Sequence, residues 1–267
     1  MPLLHIAIVA LIQGVTEFLP ISSSGHLILL PNLTGLDDQG QAIDVAVHVG
    51  TLGAVILYFR QDVGRAVSGL GEVLSRRLTS PDARLALGLI VATIPVVIAG
   101  LLMKLTGLDD AVRSVAVVGW ATLIFGFVLF WADRSGGFHR DADQWSLKHA
   151  FIMGLWQVLA LIPGTSRSGI TITGARQLGY NRHDAARLAM LMSIPTILAS
   201  GSLLTIEVVA DMNAALARDA AIGAAFAFVA ALGALHFMMR LLRSVSFTPY
   251  VMYRVILGVV LLAIAYS

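Results

Sequence analysis

Long uninterrupted runs of apolar residues limit most strongly what this chain can fold into. Six runs reach roughly 18 residues or more, the length at which a helix crosses a hydrocarbon core about 30 Å thick. They cover residues 42–60, 84–104, 112–131, 185–209, 218–240 and 249–266. Only 13% of the residues are charged, whereas soluble domains carry about a quarter. We therefore predict an all-α, polytopic membrane protein that forms a single integral membrane domain over residues 1–267.

The composition also excludes several kinds of site and partner. The chain has no cysteines, so disulfides, thiolate metal sites and cysteine nucleophiles are ruled out. Its formal net charge is +2, from 18 basic and 16 acidic residues. In a membrane protein, scattered arginines report topology before they report a nucleic-acid partner. We expect membrane lipid, and no nucleic acid, around this chain.

Two further apolar regions are interrupted by polar centres that contain proline, glycine and serine. Residues 3–35 are broken at 20–26, and residues 149–178 are broken at 163–169. Proline disrupts the helical hydrogen-bond ladder, and clustered serines offer the backbone other partners. We predict that each region is a re-entrant hairpin of two short helices. Such backbone survives at membrane depth only when it is buried in protein or faces a water-filled cavity.

The two broken regions resemble each other. A shift of 144 positions superposes four pairs of identical residues, which are Gln13 and Gln157, Ser22 and Ser166, Ser24 and Ser168, and Gly25 and Gly169. Each half of the chain reads as one broken hairpin followed by three spans. Because three is odd, the second half must be inverted relative to the first. We therefore predict two inverted-topology repeats, over about 1–134 and 145–267, with a site near the membrane midplane.

The charges of the loops indicate an orientation in the membrane. One side of the predicted topology carries most of the basic residues, which are Arg60, Arg65, Arg76, Arg77, Arg84, Arg134, Arg140, Lys148, Arg176, Arg182, Arg187, Arg240 and Arg243. The other side carries only Lys104, Arg113 and Arg218. The positive-inside rule places the arginine-rich side in the cytoplasm and both termini outside. We expect this topology in a bacterial inner (plasma) membrane.

The first hairpin contains the segment QGVTEFLPISSSGH, residues 13–26. Gln13 and Glu17 are four residues apart and share one helix face. Pro20 ends that helix, and three serines follow where the next helix should begin. Serine is a favoured N-cap, and the start of a helix offers unpaired N–H groups and a positive dipole end. This arrangement is typical of a phosphate-binding site.

The second hairpin contains PGTSRSG, residues 163–169. Its glycines allow close backbone approach, and its hydroxyls can cap the next helix. Arg167 adds a charge whose forked donors match phosphate oxygens. We predict that both tips bind one anionic substrate; the predicted binding residues are Ser22, Ser24, Gly25, Gly164, Thr165, Ser166, Ser168 and Gly169.

Four residues are predicted to be catalytic: Glu17, Ser23, His26 and Arg167. Serine and glycine in membrane helices are usually packing residues, but a carboxylate and a guanidinium at this depth indicate a functional site. A simple Glu17–Arg167 pair would leave the nearby serines and histidine unexplained. A serine hydroxyl needs a neighbouring base, and His26 follows Ser23 by three residues, within reach on one helical turn. Glu17 can orient the imidazole or hold a divalent cation, and Arg167 can stabilise a transferring phosphoryl group.

Together the two segments resemble the undecaprenyl-diphosphate phosphatase family, the bacitracin-resistance membrane phosphatases, in motif, spacing and chain length. The resemblance implies hydrolysis of the terminal phosphate of undecaprenyl diphosphate, which recycles the lipid carrier for peptidoglycan synthesis. It implies that Ser23 is the nucleophile, His26 its acid–base partner, Glu17 part of a metal-linked acidic motif and Arg167 the grip on the pyrophosphate. It also implies a site that opens toward the periplasm.

The chain departs from the family at Gln13, where a second glutamate is often found. An amide oxygen can coordinate a cation but adds no charge. We therefore expect Glu17, helped by Gln13, to hold Mg²⁺ or another divalent cation such as Ca²⁺.

Two other readings compete with this one. A lipid-carrier flippase or other transporter shares the inverted-repeat architecture, and loss of the Ser23 hydroxyl should separate it from a hydrolase. The type-2 phosphatidic acid phosphatases need a histidine where this chain has Thr173. The oligomeric state is left open, with a homodimer as one expectation.

Overall fold

The structure, a computed structural model, describes residues 2–34, 40–135, 139–210 and 213–267. Within these ranges the regular secondary structure is helical, apart from one isolated bridge between Arg140 and Tyr180. The α-helices are α1 (Leu3–Thr16), α2 (Ser23–Thr34), α3 (Gln41–Tyr58), α4 (Arg60–Leu74), α5 (Pro81–Thr106), α6 (Leu108–Ala111), α7 (Val115–Arg134), α8 (Leu147–Val158), α9 (Arg167–Gln177), α10 (Arg182–Ala210), α11 (Ala214–Leu241) and α12 (Thr248–Tyr266). Short 3₁₀ turns lie at Ala142–Gln144 and Leu159–Leu161.

The six predicted spans correspond to α3, α5, α7, α10, α11 and α12, with ends that differ by at most about four residues. Within the described ranges, five of them (α3, α5, α7, α11 and α12) are long and apolar enough to cross a membrane. Large apolar side chains on these helices, such as Leu101, Trp131 and Val229, face outward. An outward apolar surface of this extent suits lipid, so the all-helical, multi-pass membrane fold is confirmed.

Both predicted breaks are present. The first hairpin is α1 and α2, which are separated at residues 17–22, and the second is α8 and α9 with a 3₁₀ turn between them. The first helix of each hairpin lies against a long helix from the other half of the chain. Gly14 of α1 contacts α11, and Gly154 of α8 contacts Ala92 of α5. These crossings hold the hairpins inside the bundle.

The segment between the predicted spans 42–60 and 84–104, which they leave as a loop, is not irregular, because Arg60–Leu74 forms the helix α4. Its apolar residues recur at helical spacing between charged and glycine positions, so it is amphipathic and a search for long apolar runs misses it. Gly69 of α4 packs directly on the backbone of Asp82. Arg65 reinforces this contact with a hydrogen bond of 2.9 Å to the Asp82 carboxylate.

A buried carboxylate holds the far end of the second hairpin. Asp133, at the end of α7, lies 2.9 Å from guanidinium nitrogens of Arg176 and Arg182. It also accepts a hydrogen bond of 3.2 Å from the backbone N–H of Phe247, just before α12. Since its partners lie on or next to α9, α10 and α12, Asp133 ties all three to α7.

The contact of α1 with α11 generates a prediction about stability. A Cβ on Gly14 would lie 2.6 Å from the Cβ of Ala230 and 2.7 Å from the carbonyl oxygen of Ala227. We expect Gly14→Ala to lower the free energy of unfolding by about 1–3 kcal/mol, because the two helices must separate. Thermal denaturation of the purified protein in detergent measures this loss.

Gly233 of α11 is the matched control, because a Cβ there meets no atom within 4 Å. Gly233→Ala should be neutral or slightly stabilising. Equal melting temperatures for the two variants would contradict the close crossing.

Candidate active site

The two hairpin tips have nearly the same local structure. Ser22 and Ser166 both adopt positive φ, at 73° and 67°, a conformation that costs a residue with a side chain about 1–3 kcal/mol and that clusters at functional sites. Each hydroxyl accepts a hydrogen bond from the N–H three residues on, at 3.4 Å from Gly25 and 3.2 Å from Gly169. Both tips are therefore capped helix starts held in a strained turn.

The tips lie against each other. The N–H of Gly164 donates to Ser24 Oγ at 3.1 Å, and the Ser168 hydroxyl donates to the carbonyl of Leu19 at 2.9 Å. These bonds join residues about 140 to 150 positions apart in the chain. They bring the starts of α2 and α9 to one place inside the bundle.

Glu17 is the centre of the polar cluster between the tips. Its Oε1 accepts a hydrogen bond of 2.8 Å from Arg167 Nη2. Its Oε2 accepts one of 2.8 Å from Gln13 Nε2 and one of 3.2 Å from Ser23 Oγ. The Glu17 side chain is only 8% exposed. A carboxylate fixed in this way can take the proton of the Ser23 hydroxyl.

A cavity of about 250 Å³ opens beside this cluster. It is lined by Glu17, Ser22, Ser23, Ser24, Ala160, Leu161, Ile162, Pro163, Gly164, Ser166 and Arg167. Nη1 of Arg167 is buried and has no hydrogen-bond partner. An unpartnered cationic donor is costly at this depth, and the oxygens of an anion in the cavity would satisfy it.

The ring of His26 makes no hydrogen bond to Ser23 in this structure, so the predicted acid–base pairing of the two residues stays a prediction. Its Nδ1 donates to the carbonyl of Ser22 at 2.7 Å, and its Nε2 lies 2.6 Å from the hydroxyl of Tyr253. In the neutral ring, where Nδ1 carries the hydrogen, the tyrosine O–H donates to Nε2. Both ring nitrogens are therefore hydrogen-bonded to groups other than Ser23, whereas the Ser23 hydroxyl donates to the carboxylate of Glu17.

Five other predicted site residues do not line the cavity: Gln13, Gly25, Thr165, Ser168 and Gly169. Gln13, Thr165 and Ser168 are fully buried. Ser168 joins the tips, as described above, whereas the Thr165 hydroxyl has no partner. Gly164 is needed sterically, because it has a φ of +93°. Direct contact of the five residues with substrate stays a prediction.

The residues of this site fit a divalent cation only in part. In the described ranges no group of three or more His, Asp or Glu side chains is placed to hold a metal ion. Gln13 Oε1, however, is buried without a hydrogen-bond partner beside the Glu17 carboxylate. One carboxylate and one free amide oxygen can hold Mg²⁺ or Ca²⁺ when phosphate oxygens supply further ligands, as is usual for Mg²⁺.

Arg254 is a site residue that the sequence analysis missed. It is fully buried in α12 and donates to the carbonyls of Thr122 at 3.0 Å, Gly164 at 3.1 Å and Pro20 at 3.5 Å. No carboxylate pairs with it in the part of the chain that the structure describes. It thus joins the two tips to α7 and leaves a positive charge behind them. The missed signal was an arginine inside the predicted span 249–266.

Comparison with known proteins agrees with the family resemblance of the two hairpin segments. A family model described as "Bacitracin resistance protein BacA" matches residues 6–260. Proteins named undecaprenyl-diphosphatase from Dinoroseobacter shibae and Ruegeria pomeroyi are 68% and 67% identical to this chain over the full length of both chains. A protein named undecaprenyl-diphosphatase 2 from Stutzerimonas stutzeri is 45% identical over 99% of this chain and 98% of its own length.

The contacts of Arg254 predict what its loss would do. Arg254→Met should loosen both tips, because it removes hydrogen bonds worth about 1 kcal/mol each to Pro20 and Gly164. We expect amide hydrogen exchange in residues 162–169 to become about tenfold faster. Arg77→Met, at an exposed position, should leave these amides unchanged. Unaltered exchange in Arg254→Met would contradict the proposed clamp.

Proposed function

The chain belongs to the family of the bacitracin resistance protein BacA, and on that premise we propose that it is an undecaprenyl-diphosphatase. It hydrolyses the terminal phosphate of undecaprenyl diphosphate and so returns the monophosphate carrier to peptidoglycan synthesis. One observation carries this proposal for the site. The Ser23 hydroxyl bonds to Glu17, Glu17 bonds to Arg167, and all three line one cavity between two helix starts.

In the first step, Glu17 takes the proton of the Ser23 hydroxyl, and Ser23 Oγ attacks the terminal phosphorus. The new Oγ–P bond replaces the bond from phosphorus to the bridging oxygen, and undecaprenyl phosphate leaves with that oxygen. Arg167 Nη1 and the N–H groups at the starts of α2 and α9 bind the phosphoryl oxygens. Such electrostatic stabilisation of the transferring group is the main source of catalysis in phosphoryl transfer. The unpartnered state of Nη1 supports this role.

In the second step, a water molecule attacks the phosphoserine. Once Glu17 has lost its first proton to solvent, it takes one proton from this water, whose oxygen bonds to phosphorus as the Oγ–P bond breaks. Glu17 then gives that proton to Ser23 Oγ as inorganic phosphate leaves. The sum of the two steps is the hydrolysis of one phosphoanhydride bond by one water molecule. His26 has a positioning role in this proposal, because it holds the Ser22 carbonyl and so the start of α2.

We also propose that a divalent cation joins the substrate at this site. Glu17 and the free Oε1 of Gln13 would hold it, and it would supply neutralisation of the charge on the pyrophosphate. The buried, unpartnered Oε1 supports this assignment.

The arrangement of the halves as inverted repeats is likewise a proposal. It is supported by the similar positive φ angles of Ser22 and Ser166. It is also supported by the packing of the first helix of each hairpin on a long helix of the other half, α1 on α11 and α8 on α5. The loop charges support an orientation with both termini outside. A site open to the periplasm is compatible with that orientation and rests on the family resemblance. A homodimer and the division into repeats at about residue 140 stay predictions.

Ser23→Ala tests the proposed nucleophile. We expect phosphate release from undecaprenyl diphosphate to fall by more than about 100-fold, because no oxygen remains to form the covalent intermediate. Release of inorganic phosphate by the purified protein in detergent measures it. Ser200→Ala is the control, since that hydroxyl bonds only to carbonyls of its own helix α10. A flippase would release no phosphate even as the unaltered protein, so that result would favour the transporter alternative. Near-normal release by Ser23→Ala would exclude Ser23 as the nucleophile.

The cation proposal predicts that chelation suppresses turnover. Excess EDTA should reduce phosphate release to a small fraction, and added Mg²⁺ or Ca²⁺ should restore it. Gln13→Glu adds a carboxylate to the same position and should lower the Mg²⁺ concentration needed for half-maximal rate. Full activity in excess chelator would remove the cation from the reaction.

A further inference from the structure

The helix α4 lies at the membrane boundary on the arginine-rich side of the protein. It begins at Arg60, just after the span α3 ends at Tyr58. Further along α4, Gly69 packs on the backbone of Asp82, in the first turn of the span α5. The end of α3 and the start of α5 lie on one side of the membrane, because α4 between them is too short and too polar to cross it. The part of α4 between these two points, about 13 Å long, therefore runs along the membrane surface.

One face of α4 is fixed to the rest of the bundle. Asp62 is buried and accepts hydrogen bonds of 2.8 Å and 2.5 Å from the guanidinium of Arg187, on α10. Arg65 and Gly69 hold the start of α5 through Asp82, as described above. Asp62, Arg65 and Gly69 are three and four residues apart and so share one side of the helix. These contacts set the rotation of α4 about its own axis.

A different face of α4 carries a stripe of exposed apolar residues. Val67, Leu70 and Leu74 recur at intervals of three and four residues, and they are 63%, 42% and 85% exposed. Gln61 and Ser68 lie on the opposite half of the helix and are exposed too. A helix that runs along a membrane with one apolar and one polar side has the pattern of an interfacial helix.

The charges of α4 are divided between its surfaces. Its two carboxylates turn to the protein, since Asp62 is buried and Glu72 accepts a hydrogen bond from the Ser80 hydroxyl. Its two ends carry exposed basic residues that form no ion pair in the described ranges, which are Arg60, Arg76 and Arg77. The outward charge beside the apolar stripe is therefore positive, which complements anionic lipid headgroups.

The turn after α4 holds two of these arginines next to Leu74. The N–H groups of Arg76 and Arg77 donate to the carbonyls of Val73 at 3.0 Å and Glu72 at 2.8 Å. Arg76 has a φ of 59°, at the helix-ending position where glycine is most common. Because the backbone bonds fix this turn, both arginine side chains start at the end of the apolar stripe.

We propose that α4 and the turn after it form a binding surface for anionic phospholipid of the membrane that the protein spans. The apolar stripe inserts at the boundary between headgroups and acyl chains, and the exposed arginines bind the lipid phosphates. On the orientation that the loop charges support, this surface meets the cytoplasmic leaflet. It is separate from the hairpin tips and does not depend on the reaction proposed there.

The depth of the stripe can be measured with single fluorescent labels, because the chain has no cysteine of its own. The full-length protein, one copy in each phosphatidylcholine nanodisc, carries the environment-sensitive dye NBD at Leu74→Cys. Ser68→Cys, on the polar side of α4, is the matched control. Both positions are exposed, so neither substitution disturbs the packing of α4.

Lipid that carries a nitroxide near the headgroup end of its acyl chain should quench the Leu74→Cys label at least about threefold more than the Ser68→Cys label, because the apolar face of an interfacial helix lies in that layer. Iodide in the water should quench the two labels in the reverse order. Equal quenching at the two positions would overturn the proposal. A Leu74→Cys label that iodide reaches best would also overturn it, since the stripe would then face water and be open to a protein partner or a second copy. Protection from both quenchers would mean that protein covers the stripe, and would overturn it as well.

The preference for anionic lipid is measured with the same Leu74→Cys label. A trace of nitroxide-labelled phosphatidylglycerol should quench it at least about threefold more than an equal trace of nitroxide-labelled phosphatidylcholine, because unpaired arginines attract the anionic headgroup. Salt at about 1 M should weaken this preference, since it shortens the screening length to about 3 Å.

Two double variants test whether Arg76 and Arg77 produce the preference. Arg76→Gly with Arg77→Gln removes both charges and suits the turn, so most of the preference should disappear. Arg76→Lys with Arg77→Lys keeps both charges and should keep the preference. Equal quenching by the two lipids in the otherwise unaltered protein, or a preference that survives the loss of both charges, would overturn the assignment to anionic phospholipid.

Discussion

The ion pair between Glu17 and Arg167 is the interaction on which the rest of the site depends. A carboxylate and a guanidinium inside a membrane bundle are each costly to desolvate, and the attraction between them repays this only with good geometry and further hydrogen bonds. Both conditions hold at Glu17, where Arg167, Gln13 and Ser23 donate to the two carboxylate oxygens. Because these donors come from both hairpins, the pair can form only when the tips meet. The polar cluster is therefore assembled only when the two halves of the chain pack together.

Irregular backbone at this depth needs its own support, since no solvent is present to satisfy exposed carbonyls. Arg254 supplies it from α12 by binding the carbonyls of Pro20 and Gly164, one from each tip. The same guanidinium explains why position 169 is glycine, because a Cβ there would lie 2.9 Å from Arg254 Nη1. The unneutralised charge behind the tips also adds to the positive potential that an anionic substrate meets. The support of the backbone and the attraction of the substrate thus come from a single buried side chain.

The sequence was sufficient for the features that depend on local chemistry. Apolar length predicted the spans, and proline with serine predicted breaks close to where α2 and α9 begin. Features that depend on tertiary contacts were less accessible. The amphipathic α4 has no long apolar run, so the apolar pattern does not predict it. The ring of His26 bonds to Tyr253, 227 positions away, and such a distant contact cannot be predicted from a local sequence pattern. His48 Nε2 lies 3.9 Å from Glu17 Oε2 only because α3 packs beside the first hairpin, a tertiary contact that no local sequence pattern shows.

The site can also be understood as two similar positions that have acquired different chemistry. Ser23 is the first residue of α2 and Arg167 the first residue of α9, and each follows a serine with positive φ. A shift of 144 positions superposes them, as it superposes Gln13 on Gln157, whereas Glu17 falls on Leu161. Two identical tips would face an anion with like groups, either two hydroxyls or two cations. In the proposed reaction, a serine on one side would be the nucleophile and an arginine on the other would bind the charge of the same phosphoryl group. The carboxylate on α1 lies within hydrogen-bond distance of both and would determine which tip attacks.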